Sequence, residues 1–372
     1  PIITDVRSGT FSFENFLLQG PDARIAVTSE NSTRDQLNMS LKAETELRLF
    51  QIFLPFLDDL SGRARASMTI AGSIFKPEIL GSARTESAFL KIKDFPHPFE
   101  KIDADVQFSQ SRISINGGKG ELAGGTFTAG GSVEIVGPRD LPTQIQAQVR
   151  DVTLNVPDNV RTSGSGELNF TGNWFPFTLS GVYRVRSGLI DKEFTDEATQ
   201  NQIKQSSYLP KIILQRAFEP IVLDLQIVMN QPVQIKNSMI DGSLTGQIQV
   251  KGPPGSPLLF GAVSTEKNTK LLLRDKVFEV NTGNVRFNDP NEINPELYVT
   301  ARTRVNEYDI NLLVQGTAKN PIIRNSSTPP LSEQDIVSLL ALGVTSADLD
   351  KRLQRKDQDQ SGQYQVGTAL LQ

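Results

Sequence analysis

Few residues in this 372-residue chain are equipped for chemistry. His97 is its single histidine, held between Pro96 and Pro98, and there is no cysteine. A Ser-His-Asp or Cys-His relay needs a base beside its nucleophile, and a zinc site needs Cys or His in number. Neither set exists here, and a histidine between prolines reads as a turn residue. Asp289, Glu292 and Glu296 form an acidic cluster, but their spacing does not match an EF-hand loop, and Pro290 and Pro295 read as loop punctuation. Paired carboxylates on a β scaffold suit glycoside hydrolysis. Such sites come with stacking aromatics, and the chain has only Trp174 and five tyrosines. Gly117-Gly118-Lys119-Gly120 and Gly124-Gly125 lack the Walker spacing and no helical pattern follows them, so they read as turns and weak strand centres. The expectation is a protein that is not an enzyme, with no catalytic residue, no metal and no cofactor.

What remains is apolar surface at a two-residue period. Ile113 and Ile115, Ile145 and Val149, then Leu223, Leu225 and Ile227 alternate with polar neighbours; so do Leu297 and Val299, and Ile310, Leu312 and Val314. Strands so patterned carry one apolar and one polar face. With 38% hydrophobic and 7% aromatic residues, that face is mostly aliphatic. It must be covered by a second sheet, by the sheet curling on itself, or by a ligand. Net charge is −4 with both signs interspersed, which argues against nucleic acid, whose phosphates need a basic stripe. No run of about 18 apolar residues is present, so no helix is expected to span a membrane. The chain starts at Pro1 without a signal peptide, and we read it as a fragment whose anchor lies upstream.

The strands repeat. Gly72, Pro77 and Gly81 recur as Gly172, Pro176 and Gly181 and as Gly252, Pro257 and Gly261, the glycines nine apart each time. Phe99-Glu100, Val106 and Phe108 answer Phe278-Glu279, Val285 and Phe287 at identical spacing, and a degraded fourth copy begins at Gly316 and Pro321, with Asn325 in place of the second glycine. Fixed-period repeats mean a stacked array. The expected division is residues 1–62 (strands with a short helical turn), 63–160, 161–249 and 250–328 (three β repeats, the second with a polar insertion near 194–210) and 329–372 (helices and a mobile tail). Helices are expected near 47–60, where Phe50, Phe53, Leu54, Leu57 and Leu60 fall at helical spacing, and over 332–354. The first of the latter is capped by Ser332 and stopped by Gly343, and a second starts at Ser346.

Phe287-Asn288-Asp289-Pro290, Asn294-Pro295-Glu296-Leu297, Ala301 and the run from Pro329-Pro330-Leu331-Ser332-Glu333 through Gln334-Asp335-Ile336-Val337-Ser338-Leu339-Leu340-Ala341-Leu342-Gly343 resemble the C-terminal region of the TamB family, in the AsmA-like, bridge-like lipid transport group. The last hundred residues match specifically; the upstream repeats match in general style, and the family's remaining C-terminal strands are missing, which reads as truncation. The resemblance implies an all-β fold: one elongated, repeat-built sheet curled into a U-shaped, taco-like groove with an apolar interior. It implies a periplasmic bridge, anchored in the inner membrane and reaching a BamA-like, TamA-type barrel in the outer membrane, with a plastid envelope as the alternative location. Its functions would be conduction of phospholipid along the groove and a role in outer-membrane protein assembly. The alternatives are a scaffold that carries no lipid and docks the barrel, or a β-helical carbohydrate-active or adhesive domain. On this reading the alternating residues named above line the groove, phospholipid is the transported ligand, and Leu331, Ile336, Leu339 and Leu340 dock the partner.

Overall fold

The computed structural model describes residues 2–5, 10–21, 23–33, 35–54, 56–74, 76–137, 139–193, 219–273 and 275–345. The polar insertion read near 194–210 and the second helix and tail read beyond Ser346 lie outside them. Twenty strands, a 3₁₀ segment at Leu47–Phe53 and one α-helix make up the described elements. The fold is all-β, as the alternation predicts, and every strand pairing described in the two units is antiparallel. The chain divides into two compact units: Pro1–Val233 with Gly246–Phe260, and Gln234–Thr245 with Gly261–Gln372.

Unit 1 is built on twelve consecutive strands: β1 (Ile2–Asp5), β2 (Thr10–Gly20), β3 (Ala23–Ser32), β4 (Leu37–Glu46), β5 (Leu57–Ser73), β6 (Lys76–Ile92), β7 (Phe99–Gln110), β8 (Arg112–Leu122), β9 (Gly125–Glu134), β10 (Thr143–Asn155), β11 (Val160–Gly172) and β12 (Phe177–Ile190). Each pairs with the next. β13 (Ile221–Lys236), β14 (Ile240–Gly252) and β15 (Leu258–Thr265) have residues in both units.

The repeated glycines are explained by backbone shape. Gly72, Gly172 and Gly252 close strands at φ 77°, 148° and 92°, and Gly81, Gly181 and Gly261 lie in the next strand at φ 153°, 136° and 116°. Residues with a side chain rarely adopt such angles. A Cβ at Gly81 or Gly181 would also run into the carbonyl oxygen of Ser67 or Glu167 on the neighbouring strand. The degraded fourth copy is a hairpin too, with Gly316 (φ 96°) paired to Pro321.

A second set of unusual angles folds the strands of unit 1. Register shifts occur at Ser61/Arg63, Thr85/Ala88, Glu100/Asp103, Ile115/Gly118 and Val149/Val152. Gly62, Ser87, Lys101, Gly117 and Asp151 have positive φ there. These are β-bulges, which bend a strand and raise its twist. Beyond them Leu57, Leu60, Ala88, Leu122 and Val152 are buried, and the rings of Phe95, Phe99 and Phe127 pack at centroid separations of 6.1 and 5.4 Å. The sheet of unit 1 is thus curled, with buried aliphatic side chains and half-buried rings packed past the bulges.

The short helix expected near 47–60 is present, but over a shorter stretch. The 3₁₀ segment stops at Phe53, and Leu57 and Leu60 belong to β5, where they face Ile92 and Leu90 of β6. Local spacing there fitted a helix, but pairing with β6 buries both leucines, and tertiary burial outweighs local preference.

Unit 2 contains β16 (Lys270–Leu273), β17 (Lys276–Phe287), β18 (Glu296–Val305), β19 (Tyr308–Thr317), β20 (Pro321–Thr328) and the helix α1 (Glu333–Leu342). Ser332 caps α1 by accepting the Asp335 N–H, and Gly343 stops it in the left-handed region, as predicted from the sequence. Ile336 and Leu339 enter a core with Phe278, Ala301, Val305, Ile310 and Leu312.

Candidate functional site

Residues paired directly across an antiparallel ladder project to the same face. In unit 1 the register therefore writes out a row: Leu18 on β2, Ile25, Ala43, Ala66, Ala83, Val106, Ile115, Gly131, Ile145, Phe170, and Leu179 on β12. Eleven strands contribute one residue each and none is polar. At about 4.8 Å per strand the row extends roughly 48 Å. A parallel row two residues away contains Val27, Leu41, Met68, Gly81, Phe108, Ile113 and Val133. The alternate positions form the opposite face and read Lys42, Ser67, Ser82, Gln107, Ser114, Ser132, Gln144 and Thr171. That outer face carries ion pairs of Arg65 with Glu44 and Glu86 (3.2 and 2.7 Å) and of Arg84 with Asp105.

The apolar row is half-buried along its length, and Leu18 at one end is 52% exposed. A dry sandwich core would bury such residues almost completely. Among the described residues of unit 1 the only helical element is the 3₁₀ segment. The surface can therefore hold apolar matter by non-directional contact, while β2 to β11 each already pair with a strand on both sides.

The predicted lining residues do not share one environment. Ile113, Ile115 and Ile145 stand in the two apolar rows, and Val149 lies against Phe127 at the bulge and is buried. Leu223, Leu225 and Ile227 lie on β13, where polar and apolar positions alike are half-buried, so burial does not separate its faces. In unit 2, Leu297 pairs with Val285 and Gly316, and Val299 with Val314; all three apolar candidates are half-buried. Ile310 and Leu312 are instead sealed under α1, Ile310 fully. The partner-docking residues have the same fate: Ile336 and Leu339 are core, and Leu331 and Leu340 pack against it. Their apolar character serves the sheet beneath, and the helix turns Val337 and Leu342 outward, 53% and 67% exposed.

Sequence reasoning did not nominate Leu18, Ile25, Ala43, Ala66, Ala83, Val106, Phe170 or Leu179. Alternation in Arg24-Ile25-Ala26-Val27 and in Ile102-Asp103-Ala104-Asp105-Val106 was the available signal for two of them; alanines are apolar too weakly to stand out until register aligns them.

The chemistry-bearing residues have structural work. His97 sits in the β6–β7 turn, and its Nε2 accepts the Asn155 N–H at 2.8 Å, tying that turn to the end of β10. Burial, and then the charge of Lys91, hold its pKa below the ordinary value. Asp289 accepts the Asn291 N–H, Glu292 pairs with Lys319, and Glu296 accepts from Asn288. No group of three or more acidic or histidine side chains placed to hold a metal occurs among the described residues.

A family model for the TamB C-terminal domain matches residues 114–372, more than two-thirds of the chain. The chain belongs to the TamB family. A search of curated protein sequences returned no match. Membership places the chain in the translocation and assembly module of outer-membrane assembly, a periplasmic bridge between membranes with a TamA-type outer-membrane partner. No described helix is long and apolar enough to cross a membrane. The TamB match begins in β8, yet the apolar row crosses that point without a break, from Val106 to Ile115.

Proposed function

We propose that the apolar face of unit 1 carries the acyl chains of phospholipids in transit between the inner and outer membranes. The observation that supports it is the eleven-residue apolar row, half-open along its length and opposed by an outer face that is mostly polar, with Leu17, Ala26 and Leu80 as its apolar members. A phospholipid exposes about 30 methylenes, and at about 0.8 kcal/mol each its tails resist crossing water by roughly 20 kcal/mol or more. An aliphatic face that accepts the tails while the headgroup stays wet lowers that barrier. Because its contacts are non-directional, no single pose is favoured, and a chain can slide across strands. No nucleotide-binding loop was found in the sequence, so net direction would come from a lipid gradient or from partners.

Native mass spectrometry of the protein purified from lipid-containing membranes tests this. Retained phospholipid masses are expected, and a chain that emerges lipid-free and takes up no acyl-chain probe would refute it. For unit 2 a different reading is favoured by its sealed core: a scaffold that presents the outer side of α1 to the barrel partner. Exchange of the outward Val337 tests that role without disturbing the core.

A further inference from the structure

The apolar row of unit 1 does not stop at its strands. Phe170, the row's residue on β11, stacks at 5.0 Å on Phe177 at the start of β12. Phe177 meets Phe175 edge-on at 5.1 Å, and Phe175 meets Trp174 at 5.1 Å. The four rings form a ladder from the apolar face to the tip of the β11–β12 turn, where Trp174 is 36% exposed. Gly172 makes room for it, since a Cβ there would strike the Phe177 ring at 2.9 Å. The neighbouring β9–β10 turn is fastened to this tip by the Leu141 N–H bonded to the Asn173 carbonyl at 2.6 Å, and it adds an outward Val136.

We propose that the β11–β12 turn is the port through which an acyl chain passes between a lipid surface and the apolar face of unit 1; this rests on the lipid-carrying reading above. Three features single out an acyl chain. The ladder is continuous with the apolar row through Phe170. β11 is paired on both sides, with β10 and β12, so no free strand edge invites a peptide to add there. Aromatic rings give large contact area without fixing a pose, and a tryptophan with an apolar body and one N–H suits the boundary between water and hydrocarbon. The equivalent turn of the first repeat carries an exposed Ile74, whereas the third has Pro253-Pro254-Gly255 and no large side chain. The first repeat also has Phe75 after Ile74 in sequence, so the third repeat alone lacks the large apolar pair, and the described ring ladder is that of the β11–β12 turn.

Trp174 is the chain's only tryptophan, so its fluorescence reports the port directly. The 372-residue chain is mixed with phosphatidylcholine vesicles whose acyl chains are brominated, and with unbrominated vesicles as reference. Brominated chains are expected to quench the emission in step with uptake followed by mass spectrometry. Trp174→Ser combined with Phe175→Ser, both in a turn, should slow uptake about threefold to tenfold and leave the final loading and the circular dichroism unchanged. Uptake without quenching, or a double variant that loads at the wild-type rate, overturns the port and leaves the lipid-carrying face standing. If the wild-type chain takes up no lipid at all, both fall together. The quenching arm uses the unmodified chain, so the port is tested even if the double variant misfolds.

Discussion

Ile115 and Ile310 are both β-branched, both at two-residue period and indistinguishable by local sequence, yet the structure gives them different environments. Ile115 is half-buried in the middle of the apolar row, and Ile310 is fully buried under α1. Ile310→Ala should therefore cost about 2–5 kcal/mol, read by denaturant unfolding, because it empties a packed site. Ile115→Asp should cost about 1–2 kcal/mol, since the carboxylate keeps access to water. It should nonetheless reduce bound phospholipid in native mass spectrometry, because tails would have to pass a solvated charge. An Ile115→Asp chain that retains wild-type lipid would show that Ile115 lies off the path. His97 supplies a pH prediction. Its pKa is lowered in the fold, first by burial and then by Lys91, so the folded form resists protonation more than the unfolded chain does. Its contribution is unchanged above the ordinary value of 6.5 and is lost as pH falls below it. His97→Gln, whose amide oxygen can accept the same Asn155 N–H, should flatten the pH dependence of the melting temperature below 6.5; an unchanged slope would assign that dependence to other groups.

At the scale of elements, α1 decides how unit 2 can be used. Its inward residues are core, so Leu339→Asp should unfold unit 2 and says nothing about a partner. The informative changes are Val337→Asp and Leu342→Asp. These should move stability by no more than about 0.5 kcal/mol while cutting co-purification with the TamA-type barrel if α1 is the docking element. Full retention of the barrel would move the contact elsewhere. Ser332→Ala should cost about 1 kcal/mol through the lost cap on the Asp335 N–H, measured by thermal melting. The repeat glycines belong to this scale as well. Gly181→Ala meets both a positive φ and the Glu167 carbonyl, so it should destabilise by about 1–3 kcal/mol. Gly124→Ala, at positive φ but with nothing within 4 Å of the new Cβ, should cost less.

For the whole molecule, the contrast that matters is between a face left half-open and a core sealed by its own helix. Hydrophobic attraction scales with apolar area and lacks direction, so lipid held on unit 1 should respond little to salt, unlike a contact made through ion pairs. Raising ionic strength from low salt to about 0.5 M should leave the phospholipid count in native mass spectrometry unchanged; loss of lipid would point to headgroup charge as the main attraction. In cells lacking the natural protein, the Ile115→Asp variant should accumulate normally yet fail to restore outer-membrane integrity. Full rescue by a chain carrying Asp in mid-row would count against lipid conduction as its function.

The sequence alone determined the class of fold, the hairpin repeat, the capped helix after Ser332 and the family. Each depends on local or periodic features: alternation, glycines that only positive φ explains, an N-cap with a stop glycine, and the Pro329–Gly343 run. Which apolar residues share a surface was not legible, because facing depends on register, and a shift of one residue exchanges the faces. The bulges at Ser87, Lys101 and Asp151 make that shift within single strands, and none is at a glycine that would announce it. Leu57 and Leu60 read as helix until β6 paired with them. Ile310, Leu312, Ile336 and Leu339 read as open or docking surface until α1 closed on the sheet. Tertiary structure decided these points because burial is a property of what an element meets, and an apolar side chain carries the same pattern whether it meets a helix, another strand or a lipid.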